Sequence, residues 1–268
     1  MSIRFRHRGI GSLINKIKTM LNVRSIKTQL IIYLACFAVF LSIKDGSPVF
    51  LLTTTIAVVS AFGIDSIIRQ LRTKIFQIAE SAIITGFIIG YVISSDEPWF
   101  VFVLASLLAI LSKHVIRFKN KHLFNPAAFG IFLSTVLLGA STQWMGTYIW
   151  YIVVPFGLYW AHKTRRMEII IGYAIVFFLL FGANAMAQRT PLLSVPGYIS
   201  YFYVFVMVIE PRTGPAKPVG KYLFGGGAAL LVFVLTQAGM RVDVELLSLL
   251  AMNAAVPLLN RLPFKKEV

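Results

Sequence analysis

The sequence predicts an all-α integral membrane protein with about ten transmembrane helices, and three observations carry that prediction. The chain is 57% hydrophobic and 13% charged, with a mean hydropathy of +0.79, values outside the range of soluble domains. Its apolar residues fall into ten segments, and Lys and Arg crowd into alternate loops between them. At 268 residues there is room for roughly ten spans of about 20 residues and none for a separate globular domain. The formal charge of +16 therefore reads as basic loops at a membrane surface rather than as a nucleic-acid footprint, and no nucleic-acid partner is expected.

Residues 1–28 carry Arg4, Arg6, Arg8, Lys16, Lys18, Arg24 and Lys27 and no acid, with Ile10, Leu13, Ile14, Ile17 and Leu21 at helical spacing. This pattern suits a cytoplasmic helix lying on an anionic membrane face, and a transit peptide would share it. The ten apolar segments follow at 29–43, 48–68, 76–94, 99–116, 123–139, 147–161, 167–187, 192–209, 219–236 and 244–259. Several are short, which suits a thinned bilayer or helices broken around a central cavity.

All Lys and Arg except Lys44, Arg189 and Arg241 fall on one side of this arrangement. The positive-inside rule then places both termini in the cytoplasm, in a multi-pass protein of the inner (plasma) membrane, and makes the number of spans even. The transmembrane domain, 29–268, divides into repeats of five at about 29–139 and 147–260. An odd number of spans per repeat forces the second to be inverted relative to the first. The fifth segment opens Phe124-Asn-Pro-Ala-Ala and the tenth carries Met252-Asn-Ala-Ala-Val-Pro257, so Asn125 and Asn253 sit in comparable elements. Inverted-repeat proteins bind their ligands between the halves, where helices are interrupted.

Asn125 before Pro126 reads as a helix start, because proline needs no partner for its missing N–H and Asn caps the free amides of the first turn. The preceding Arg117, Lys119, Lys121 and His122 hold this start at the membrane surface. Glu80, Ser81 and Thr85 open the third segment, as a polar face toward a ligand or ion path, or as an acid and self-bonded hydroxyls at a helix N-terminus. Glu210 and Arg212 lie in the proline-rich loop Glu210-Pro-Arg-Thr-Gly-Pro-Ala-Lys-Pro-Val-Gly220, where they would pair or hold an anion, or belong to a stiff surface turn. Gly225-Gly-Gly227 lacks the strand and the Lys-Ser/Thr of a phosphate loop and reads as close helix packing. Cys36 is expected to pack inside the first span. The histidines form no metal pair on one helix, and no nucleophile, base and orienting acid are arrayed for hydrolysis.

The run Glu80-Ser-Ala-Ile-Ile-Thr-Gly86, then Phe124-Asn-Pro-Ala-Ala-Phe-Gly130, Glu210-Pro-Arg-Thr, Gly220-Lys-Tyr-Leu-Phe-Gly225 and Asn253-Ala-Ala-Val-Pro-Leu258 resembles the NqrB/RnfD family. Its members are the RnfD component of the Rnf electron-transport complex and the related NqrB component of the sodium-pumping NADH:quinone reductase. The resemblance covers the chain from Phe76 onward and implies two inverted five-helix halves with urea-channel-like architecture. It also implies a flavin, FMN or riboflavin, held between the halves, partner membrane and redox subunits, and electron transfer coupled to ion movement. By motif position the implied cofactor-binding residues are Glu80, Ser81, Thr85, Asn125, Pro126, Ser200, Glu210, Arg212, Thr213 and Asn253. Family members attach FMN to the Thr of a Ser-Gly-Ala-Thr motif. Here Ser200 occupies that position after Gly197, Tyr198 and Ile199, so a bound flavin is expected to be noncovalent. Tyr198, Tyr201 and Tyr203 would then stack on its ring or form an interfacial belt. The absent motif also fits a solute channel or carrier on the same fold. No Rossmann unit is present for a nicotinamide, so electrons would enter and leave through partners and the chain alone would be catalytically silent.

Overall fold

A computed structural model describes residues 25–73, 79–119 and 121–262. The basic amphipathic segment expected at 1–28 lies outside the described residues except for its last four, where the first helix begins. The described residues form nine α-helices: α1 (Ile26–Lys44), α2 (Val49–Thr73), α3 (Glu80–Val92), α4 (Trp99–Val115), α5 (Pro126–Leu138), α6 (Trp150–Lys163), α7 (Met167–Ala187), α8 (Pro218–Gln237) and α9 (Val244–Leu259). Four are long and apolar enough to cross a bilayer: Ile26–Lys44, Val49–Arg72, Met167–Ala187 and Pro218–Gln237, of 19 to 24 residues. At about 1.5 Å per residue they match a hydrocarbon core of roughly 30 Å. Large apolar side chains stand exposed along them, among them Ile43, Val59, Leu71 and Leu179, a surface suited to lipid rather than water.

The remaining apolar helices are shorter. Helices α3 and α5 have 13 residues each, about 20 Å of rise. Beyond them the chain is irregular, and the two irregular stretches satisfy each other. Gln143 N donates to Val92 O (2.8 Å), Met145 N to Tyr91 O (2.6 Å) and Ser94 N to Ser141 O (3.0 Å), with a bridge between Ile93 and Thr142. Irregular backbone between apolar helices is tolerated where its polar groups pair within the protein in this way.

The expected segment at 192–209 is not a continuous helix. Leu192–Tyr198 is a 3-10 stretch containing Pro196, and Tyr203–Val208 is π-helical. An apolar run of helical length carries no information about which carbonyl each N–H selects. Pro196 supplies no N–H at all, and the π turn widens where Phe202 stacks on Tyr91, 5.0 Å between ring centres. The basic loop also differs from an open coil: β1 (Arg117–Phe118) and β2 (Lys121–His122) form a two-rung antiparallel hairpin, with Lys119 in the left-handed region at φ 46°.

Aromatic contacts tie early elements to late ones. Tyr33 stacks on Phe156 at 3.4 Å, and Tyr91, fully buried, donates its hydroxyl to Leu34 O at 2.8 Å. Helix α7 packs closely on α8, as the glycine run suggested: a Cβ on Gly225 would overlap the Ile169 carbonyl, and one on Gly172 the Tyr222 carbonyl. Cys36 is exposed on α1, not packed inside as expected, because that face of the helix is left uncovered by the described residues.

Candidate functional site

Asn125 caps α5 as its sequence predicts. Its Oδ1 accepts from Ala128 N at 3.0 Å, with Pro126 in the first turn. This bond fixes the amide: Oδ1 faces the helix, so Nδ2 faces away, and Nδ2 is buried with no acceptor among the described residues. Asn125 N donates to Asn253 Oδ1 at 2.8 Å, and Asn253 Nδ2 donates to Thr213 O at 3.2 Å. Both asparagines are buried, at 1% and 0% exposure. They are not equivalent within their helices, since Asn125 precedes the first turn of α5 whereas Asn253 lies well inside α9. That difference lets them meet. Helix α9 runs opposite to α5, for its N-cap Asp243 bonds Thr142 and Trp144 beyond the far end of α5.

A cavity of about 380 Å³ opens beside Asn125, within the range of roughly 300–1,000 Å³ typical of small-molecule sites. Its walls are apolar, with Leu30, Ile84, Ile88, Trp160, Val206 and Ile209, and its polar groups come from Lys27, Ser81, Thr85, Asn125, Thr164, Glu210 and Arg212. Pro126 also lines it. Helices α1, α3, α5 and α6 and the π turn all contribute, so elements from both ends of the sequence enclose one space.

The remaining candidates are distributed around this cavity. Ser81 and Thr85 lie on it while also serving the bundle: Thr85 Oγ1 donates to Ser81 O at 2.8 Å, and Ser81 Oγ accepts from Lys113 Nζ at 3.0 Å. Glu80 stands outside, 3.8 Å from the Lys27 ammonium that lines the space. Thr213 backs the wall, donating from Oγ1 to Glu210 Oε2 at 3.1 Å. Glu210 Oε1 stands 3.9 Å from His122 Nε2, beyond hydrogen-bond reach.

Ser200 is not brought to the cavity. It lies between the 3-10 stretch and the π turn, buried, with its hydroxyl unpartnered among the described residues, ten residues before Glu210. The tyrosines near it also depart from expectation. Tyr203 is fully buried with its hydroxyl 2.6 Å from Ser248 Oγ, Tyr201 donates to Pro196 O at 3.0 Å, and Tyr198 is exposed beside Phe181. None lines the cavity, so they form no stacking platform there.

Two features escaped the sequence reading. Asp65, fully buried in α2, accepts from Arg69 Nε (2.5 Å), Lys113 Nζ (3.0 Å) and His114 Nε2 (2.9 Å). An acid in the last turns of an apolar helix, with Arg four residues on, was the available signal. Arg166 donates to the Pro211 and Pro215 carbonyls and so clamps the proline loop that carries Glu210 and Arg212.

Comparison with curated proteins gives no match. The NQR2, RnfD, RnfE family model matches twice, over residues 15–153 and 150–268. The chain that builds this cavity from two joined sets of short and long apolar helices belongs to the NQR2, RnfD, RnfE family.

Proposed function

We propose that the protein is the flavin-holding membrane component of an Rnf/Nqr-type electron-transport complex, and that it relays electrons in a process coupled to ion movement. In this reading the chain crosses the membrane ten times in two inverted halves, with both termini in the cytoplasm. The double family match and the opposed directions of α5 and α9 support that arrangement. The observation that carries the ligand assignment is the buried, unpartnered Nδ2 of Asn125 on an apolar-walled cavity, since a buried donor without an acceptor costs about 1–3 kcal/mol.

A flat, amphipathic ring fits these walls. Ile84, Ile88, Val206 and Trp160 present apolar surface to its faces, and Asn125 Nδ2 would donate to an acceptor on its edge. Lys27 and Arg212 would meet a negatively charged tail. A bound flavin supplies one- and two-electron transfer there. The protein's share is to orient the ring, exclude water and hold Asn125 in place through Asn253. Ser200, which does not line this cavity and lacks the Ser-Gly-Ala-Thr context, favours noncovalent binding.

Purified protein should be yellow, and acid precipitation should release the colour into the supernatant. Asn125→Leu should lower flavin retention by about tenfold or more, the equivalent of one good polar contact. In-gel fluorescence after denaturation would mean a covalent flavin. A colourless protein that moves solute into liposomes would replace this reading with a carrier on the same fold, which the missing attachment motif favours.

A further inference from the structure

A second cavity, of about 650 Å³, lies at the basic end of the bundle, lined by Arg69, Arg72, Lys113, Arg117, Lys121 and Arg212, with His114, His122 and Pro211. The first six are cations converging on one concave space. Asp65 is pinned behind the wall by Arg69, Lys113 and His114, and Glu210 stands 3.9 Å from His122. Among the described residues, the cations lining this space outnumber these two carboxylates. A third cavity, of about 420 Å³, shares Lys121, His122, Pro211 and Arg212 with it and adds Lys119, Arg166 and Arg261. The shared residues make the two cavities one trough running under the 117–122 hairpin.

Basic loops alone explain positive charge but not this shape. Like-charged side chains repel and, unless something gathers them, spread apart. Here the hairpin and the Arg166 clamp gather them over a common space. His122 lines both cavities, its side chain 9% exposed and its Nε2 buried without a hydrogen-bond partner among the described residues. We propose that this trough binds a phosphate-bearing anion of at least two charges, with His122 donating to one phosphoryl oxygen and Arg72, Lys121 and Arg212 holding the others. Arg matches phosphoryl oxygens in bidentate fashion. The same chemistry is offered by the headgroup of an anionic phospholipid and by a soluble polyphosphate. Arg212 also lines the central cavity, so the assignment rests on the trough's other residues, His122, Arg72 and Lys121.

The test uses the full chain in detergent, with melting temperature and native mass spectrometry as readouts. One arm adds inorganic pyrophosphate; the other adds cardiolipin in mixed micelles, against phosphatidylcholine. At least one probe should raise the melting temperature and remain bound, and which one does so identifies the source. The double variant Arg72→Gln, Lys121→Gln, whose side chains lie outside the central cavity, should lose that response, with affinity falling at least about tenfold. Both side chains are exposed, so the unliganded variant should melt no lower than the parent. Lys44→Gln with Arg189→Gln, at the other end, should respond like the parent. If the double variant is unstable, retained probe on His122→Phe decides, and undiminished retention overturns the proposal. The proposal also fails if neither probe acts, if sodium sulfate at equal ionic strength matches the response, or if the double variant keeps it.

Discussion

At the basic end of the bundle a carboxylate is enclosed by cations, whereas at the opposite end carboxylates are enclosed by neutral donors. Asp65 meets Arg69, Lys113 and His114 within 3.0 Å. Asp243, by contrast, accepts from Thr142 Oγ1 (2.8 Å), Trp144 Nε1 (2.9 Å) and Leu246 N (2.9 Å). Glu97 accepts from both the amide and the hydroxyl of Ser141 at 2.7 Å. The loops differ in the same way: Arg166 and Lys221 donate to backbone carbonyls at the basic end, while backbone amides pair with backbone carbonyls beyond α3 and α5. One end therefore depends on charge balance and the other on geometry.

The sharpest way to break this distinction is Asp65→Asn. The amide keeps the size of the carboxylate but leaves its cations uncompensated, and breaking a buried pair from one side costs about 3–5 kcal/mol. Thermal unfolding in detergent should show a large loss, partly recovered by adding Lys113→Met, which removes one of the stranded charges. Unchanged melting for Asp65→Asn would mean that the cations are adequately solvated without it.

Much of this contrast was hidden in the sequence, for identifiable reasons. Helix positions were legible because apolar runs bounded by charge report burial, and the Asn125-Pro126 start was legible because its capping is local. The meeting of Asn125 with Asn253 followed from reading two matching motifs as parts of one site. Asp65 was only half legible: Arg69 four residues on marks a local pair, but Lys113 is 48 residues away and nothing local marks that pairing. The π turn at Tyr203–Val208 was equally invisible, because composition does not specify hydrogen-bond register. Ser200 keeps its expected rank, ten residues before Glu210, yet does not line the cavity: counting back gives a position in the chain, not the direction in which an interrupted helix points it.

Between the two ends, Asn253→Ala should cost about 1–3 kcal/mol by leaving the buried Asn125 amide and the Thr213 carbonyl without partners. Its diagnostic feature is the combination of lower stability with weakened retention of whatever occupies the central cavity. Loss of stability alone would confine Asn253 to structure.

The neutral-donor end should lose less on an amide change than the basic end. Asp243→Ala removes the cap of α9 and should cost about 0.5–2 kcal/mol, and Asp243→Asn should cost about 1–3 kcal/mol, because Oδ1 keeps the cap to Leu246 N while the amide group replacing Oδ2 turns a donor on Trp144 Nε1–H. Comparison of the two amide variants, Asp65→Asn and Asp243→Asn, sets the loss of a carboxylate among cations against its loss among neutral donors.

The smallest effect belongs to Asp45. It accepts from the exposed Tyr148 hydroxyl at 2.8 and 3.0 Å and lies 3.8 Å from Lys44, with water available to replace either contact. Exposed pairs of this kind contribute about 0–1 kcal/mol, so Asp45→Ala should shift the melting temperature by no more than a few tenths of the shift for Asp65→Asn. The same variant in high salt should match the parent more closely still, because screening weakens exposed pairs and leaves buried ones nearly intact. An Asp45→Ala shift as large as that of Asp65→Asn would show that the acids at both ends carry equal structural weight, and that enclosure by cations is not what makes Asp65 indispensable.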